Sequence, residues 1–295
     1  MNIVHVWDSL DEFENAARGL IGIHSINLLN GNSVEIKINK AVFDSAYSSL
    51  IVLFGGAKKI KDEIAWPGRA FGSFLDEDLP VVAVADSTLK ELTELQLGWY
   101  TGKPGDSFKD SLTDVFKSLQ RMLDKEIIFA GGNGGGFAAL EFGRKFKGRA
   151  SVMTWDAHTD LYDAPPSLVK PFLGAVFGFS RVALEKPDWK KFSMYRTNGK
   201  IRTNIISLET LKSPRRLLCL HQITNPIARL NAENFWLGTT GKELTEGENR
   251  FGEDRILILA DFQKESRGAY ARTINNILRT FSRDLSTINI RNLSL

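Results

Sequence analysis

The chain has 295 residues, 43% hydrophobic and 25% charged, enough apolar side chains to bury a large core and too many for a disordered chain. Its formal net charge of +3 gives no electrostatic case for nucleic acid, and no basic run or RNA-binding aromatic motif supplies one. A single cysteine, Cys219, excludes an intrachain disulfide; no apolar stretch is long enough to span a bilayer; the first residues lack a basic segment followed by an apolar one. The expectation is a cytoplasmic protein with Cys219 buried in its apolar run.

In chain order, residues 1–48 read as a β-rich N-terminal extension. Within it, SVEIKINK (33–40) alternates apolar and polar residues, as an edge or half-exposed antiparallel strand does. SLIVLFGGA (49–57) is a continuous apolar run ending in two glycines, the pattern of a buried parallel strand feeding a loop. LPVVAVADST (79–88) repeats it. Over 110–125, Leu112, Val115, Phe116, Leu119, Met122 and Leu123 recur on one helical face. Residues 126–132 predict a third buried strand, 135–146 a helix and 149–156 a fourth strand. The stretch 161–212, with Pro165, Pro166, Pro171 and Pro187, reads as a helical cap or an insertion over the sheet edge. Residues 215–224 and 254–262 resume the buried-strand pattern, 268–281 predict a closing helix, and 283–295 a loosely docked tail. Strands alternating with helices predict an α/β domain over 49–282, a mostly parallel sheet with helices on both faces.

The sharpest local signal is FAGGNGGGFAAL (129–140). An apolar strand runs into five glycines and one asparagine, then a helix begins. A phosphate-cradling loop is a poor match, because the Gly-Lys-Ser/Thr of a P-loop is missing. The frame Gly131, Asn133, Gly135 fits the G-x-S-x-G nucleophile elbow, with asparagine where the serine stands. Asparagine tolerates the left-handed backbone such a turn demands, but it cannot attack as an alkoxide. The stretch from Leu95 to Phe146, with GGGFAAL after a buried strand, resembles bacterial α/β-hydrolase-fold proteins whose elbow reads G-S-S-G-G-G-F-A-A-L. It is similar to hydrolase-like proteins of accessory secretion systems and of capsule biosynthesis. That resemblance implies a Ser-Asp/Glu-His triad acting on an ester or transferring an acyl group, often to or from a glycan.

An acyl-transfer site needs a nucleophile, a base, an orienting acid and oxyanion donors. Backbone N–H groups of Gly134, beside Gly135, and of the Gly55–Gly56 loop would serve as donors. The base should follow the last strand, yet no histidine lies beyond His221. The acid should follow the penultimate strand, where Asn225 stands. Three triad positions thus depart together, which predicts a degenerate hydrolase that binds a carbonyl-bearing or glycan ligand, or a protein partner. The alternative is an active ester hydrolase or acyltransferase with a rearranged triad, His158 or His221 acting as base. His221 lies within a strand pattern and reads first as a core histidine; His5 and His24 carry no spacing signal. Asp261, Lys264 and Glu265 follow the last strand and read as a solvated loop or the pocket mouth. Trp99, Tyr100, Trp189 and Trp236 read as core or cap packing, or as anchors if the chain is an interaction module.

Residues 156–160 read Asp-Ala-His-Thr-Asp and resemble the metal motif of arginase-type ureohydrolases, in which Asp156, His158 and Asp160 would hold Mn²⁺. The second motif of that family, S-x-D-x-D, is missing. The expectation is therefore no cofactor and no binuclear metal, with Asp160 capping the next segment. A small-molecule or glycan ligand is the expected partner.

Overall fold

A computed structural model describes residues 3–29, 31–58, 78–261 and 267–283. Lys264, Glu265 and the tail from 284 onward lie outside the described residues. The chain begins with β1 (Val4–Trp7), α1 (Leu10–Ala16), β2 (Gly22–Asn27), β3 (Ser33–Ile38) and β4 (Ser49–Phe54). It continues with β5 (Val81–Val84), α2 (Thr88–Glu91), α3 (Phe108–Leu123), β6 (Glu126–Gly132), α4 (Gly134–Phe146) and β7 (Ala150–Trp155). Four helices follow, α5 (Pro166–Phe177), α6 (Arg181–Glu185), α7 (Trp189–Thr197) and α8 (Leu208–Lys212). The last described elements are β8 (Leu217–Gln222), α9 (Pro226–Thr240), β9 (Gly247–Arg250), β10 (Arg255–Ala260) and α10 (Arg267–Arg283).

The ten strands form one sheet in the order β1-β2-β3-β5-β4-β6-β7-β8-β10-β9. β3 is antiparallel to both β2 and β5, and β9 is antiparallel to β10; every other pair is parallel. The predicted half-exposed strand at 33–40 is therefore antiparallel but interior: its alternating burial comes from one poorly covered face, not from an edge. β1 to β3 extend the same sheet as the parallel strands.

Continuous apolar strands arise because both faces are covered. Alternate residues point to opposite faces. Leu50, Val52, Phe54, Ile127, Phe129 and Val152 join one core with α3 and α4, while Ile51, Leu53, Ile128, Ala130 and Met153 join another with Ile274, Ile277, Leu278 and Phe281 of α10. Helix α3 turns its predicted apolar face inward and stops at Asp124, which adopts a left-handed conformation (φ 50°). Phe54, Phe116, Phe129 and Phe142 interlock under α4, with Phe54 and Phe142 stacked at 5.3 Å and Phe116 edge-on to Phe142 at 5.1 Å. This aromatic block fixes the angle at which β6 hands over to α4, and so fixes the turn between them. Cys219 is buried in β8, and burial pushes its thiol up to about 12.

Candidate functional site

The turn between β6 and α4 carries Asn133 at φ 51° and ψ −119°, a conformation that a non-glycine residue adopts only under constraint. Three backbone bonds supply the constraint. Asn133 N–H donates to the Trp155 carbonyl at 3.2 Å. Its own carbonyl accepts from Phe137 N–H at 3.3 Å and from His158 N–H at 3.0 Å. The glycines are required by space: a Cβ at Gly131 would lie 2.5 Å from the Gly135 carbonyl carbon, and one at Gly134 would lie 2.5 Å from the Leu97 side chain. A Cβ at Gly135 would run into the Phe54 carbonyl oxygen. The Asn133 side chain is exposed, and among the described residues no group hydrogen-bonds to it.

The loop after β4 faces this turn. A Cβ at Gly56 would lie 3.8 Å from the Asn133 Cβ and 3.9 Å from its Nδ2. Of the two glycines proposed as donors, Gly55 is already engaged, because its N–H donates to the Tyr100 hydroxyl at 2.8 Å. That hydroxyl donates onward to the Val84 carbonyl at 2.9 Å. Among the described residues the N–H groups of Gly56 and Gly134 have no partner. They are the donors left to meet a ligand oxygen.

Tyr100 is held in turn by Asp86, at the end of β5. Asp86 Oδ2 accepts from Tyr100 N–H at 3.1 Å, and Oδ1 accepts from Thr88 N–H at 3.1 Å. Trp99 and Tyr100 both take positive φ, 52° and 55°. Burial pushes the Asp86 carboxyl up to about 6, although these backbone donors pull it down. The role of Tyr100 was missed in the sequence, where it read as packing; the only hint is an acidic strand end in VADST and a tyrosine in GWYTG. Tyr100→Phe removes the acceptor of the half-buried Gly55 N–H and the donor to the buried Val84 carbonyl. It should lower stability by about 2 kcal/mol, measured by urea unfolding, because two hydrogen bonds are lost at about 1 kcal/mol each.

Both histidines offered as bases are locked elsewhere. His158 is buried; its Nδ1 accepts from Trp99 Nε1 at 3.1 Å, and desolvation lowers it to about 4. It supports Asn133 through its backbone, not its ring. His221 is buried within β8, with Nδ1 3.1 Å from the Ala228 carbonyl, and burial lowers it to about 4. Asn225, at the acid position, caps α9: its Oδ1 accepts from Ile227 N–H and Ala228 N–H at 3.1 and 3.2 Å. Asp261, past β10, accepts from Gln222 Nε2 at 2.6 Å.

The metal motif is dispersed. Asp156 Oδ1 accepts from Gln222 N–H at 2.8 Å. Asp160 caps Tyr162 N–H at 2.9 Å and accepts from Asn204 Nδ2 at 2.6 Å. Among the described residues no three of His, Cys, Asp and Glu gather as a metal site. The ureohydrolase-like reading through Asp156, His158 and Asp160 is therefore set aside; the Asp156 carboxylate ties the end of β7 to the end of β8, and that of Asp160 caps the turn at Tyr162.

No protein-family model and no curated protein matches the chain by sequence. Solved structures do match it. The capsule O-acetyltransferase of Neisseria meningitidis serogroup A aligns at TM-score 0.54 with 12% identity, over 90% of this chain and 97% of that one. FphF, a fluorophosphonate-binding serine hydrolase of Staphylococcus aureus, aligns at TM-score 0.50 with 12% identity, over 90% and 99%. Mycobacterium tuberculosis MPT51 aligns at 0.51 with 10% identity, over 90% and 97%. At such identity the likeness is one of fold, and the fold is that of the α/β hydrolases.

Proposed function

We propose that this chain is an α/β-hydrolase-fold protein that binds a carbonyl-bearing ligand, such as an acetylated glycan, without hydrolysing it. The observation that carries this reading is the Asn133 side chain: an exposed amide at the elbow, with no imidazole bonded to it among the described residues. The amide nitrogen is delocalised and has no proton that a base could remove at neutral pH. Nucleophilic catalysis needs an activated hydroxyl, thiol or carboxylate at that point. The surrounding turn is nevertheless kept. The free N–H groups of Gly56 and Gly134 favour a carbonyl oxygen, and the Asn133 amide can both donate to and accept from a ligand. The likeness to a capsule O-acetyltransferase supports an acyl-glycan as ligand, by analogy of fold.

Asn133→Ser supplies the missing hydroxyl and nothing else. Its turnover of a chromogenic acetyl ester should stay at the buffer background, because no imidazole among the described residues is placed to take the hydroxyl proton. A rise of about a hundredfold, the scale of general-base assistance, would show that a base is present and would overturn the reading.

A further inference from the structure

The surplus positive charge of the chain is concentrated in one place. Residues 166–202 hold eight Lys or Arg and two acids, Glu185 and Asp188, against 38 and 35 in the whole chain; the remainder is net negative, 30 against 33. These residues build α5, α6 and α7, on the segment between β7 and β8. Helix α7 also departs from the usual arrangement of a surface helix, in which apolar residues face the core. Its inward positions are Trp189, Ser193 and Thr197, and its outward positions include Lys191, Phe192, Met194 and Tyr195. Tyr195 is 84% exposed and Val182, on α6, 71%. Apolar groups this open, ringed by cations, need an explanation that packing within the chain does not supply.

The exposed aromatic residues are tied to the interior. Phe192 meets Phe179 at 5.7 Å, Phe179 meets Phe177 at 6.3 Å, Phe177 meets Phe172 at 6.2 Å, and Phe172 meets Trp99 at 5.2 Å. The patch is thus a supported surface and not a loose flap. Arg196 lies over the Phe192 ring at 5.8 Å and Lys170 over Trp189 at 5.1 Å. Cations laid on aromatic faces keep their charge outward while the rings stay apolar.

We propose that the α6–α7 face docks on the surface of an anionic phospholipid bilayer. Lys186, Lys190, Lys191 and Arg196 meet the lipid phosphates, while Val182, Phe192 and Tyr195 enter the interfacial layer. Charge complementarity selects an anionic partner. The outward Val182, Met194 and Phe192 favour a bilayer over a soluble polyanion, which has no apolar layer to receive them. No helix among the described residues is long and apolar enough to cross a membrane, so the attachment is peripheral. The proposal is independent of the fate of Asn133.

Sedimentation with vesicles tests it. The protein should pellet with phosphatidylcholine vesicles that contain phosphatidylserine, and stay in solution with phosphatidylcholine alone. Lys186→Glu with Lys191→Glu should weaken binding at least about tenfold, since each basic side chain near an anionic surface is worth roughly a fivefold factor. Val182→Ser with Tyr195→Ser, at exposed positions that leave the thermal midpoint unchanged, should weaken vesicle binding while leaving binding to dextran sulfate intact. Failure to bind anionic vesicles would overturn the proposal. So would equal losses on vesicles and dextran sulfate in the serine variant, which would assign the face to a soluble polyanion.

Discussion

Acidification from pH 6.5 towards 4 should strip this protein of most of its stability, and three buried histidines should be the cause. His24, His158 and His221 are all lowered from 6.5 to about 4, in each case chiefly by desolvation, with the His5 charge adding to the effect at His24. His24 accepts from Trp7 Nε1 at 3.1 Å, so that contact too requires the neutral ring. In the unfolded chain these imidazoles protonate below 6.5; in the folded chain they stay neutral until about 4. Unfolding therefore takes up protons in that window, and stability rises with pH. The contribution is complete above 6.5 and is lost as pH falls towards 4. By pH 5 it amounts to about 2 kcal/mol per histidine, as an upper limit. Asp86, Asp160 and Glu126 work the other way, since burial raises their pKa values and the folded state holds those protons longer. The three histidines outweigh them, and the net loss between pH 7 and 5 should be about 3 kcal/mol. Urea unfolding across this range measures it. His221→Gln should flatten the slope by about one proton. Stability that is level or rising on acidification would mean the three rings are not buried neutral.

Gly131→Ala should be a severely damaging added methyl group at the elbow. The new Cβ would sit 2.5 Å from both the carbonyl carbon and oxygen of Gly135, and both partners are backbone. Neither can rotate aside. The β6 strand and the first turn of α4 would have to separate, which breaks the packing of Phe137 and Phe142 against the sheet. A loss of about 3 kcal/mol or more is expected, enough to abolish soluble expression of a marginal domain. Gly148→Ala is the control. That glycine has φ +79° and nothing within 4 Å of the added atom, so only the left-handed backbone penalty applies, about 1–2 kcal/mol. Comparable losses in the two variants would show that the turn is not closely packed.

The contrast between elements that were readable in the sequence and those that were not has a physical cause. β4, β6, β7, β8 and β10 are covered on both faces, and a strand so placed must be apolar throughout. β9 reads Gly-Glu-Asn-Arg and lies at the sheet edge, where no apolar side chain is demanded. β1, within the segment read only as β-rich, was not delimited for a related reason: Val4 and Val6 are exposed, and Trp7 alone of its residues is buried in the core. Helix α9 was not expected, although its capping asparagine and the proline of its first turn are a start signal; Asn225 was read instead for its place after β8. The elbow was legible because five glycines and an asparagine satisfy a demand that few sequences meet. The bond from Tyr100 to Gly55 was not, because it joins residues 45 apart whose types have many other uses.

The central claim concerns chemistry at Asn133, and turnover of p-nitrophenyl acetate by the unaltered protein tests it most directly. The rate should match that of buffer and should not change in Asn133→Ala. A saturable rate well above background that disappears in Asn133→Ala would mean that the elbow still performs acyl chemistry, and the account of a ligand-binding turn would fail.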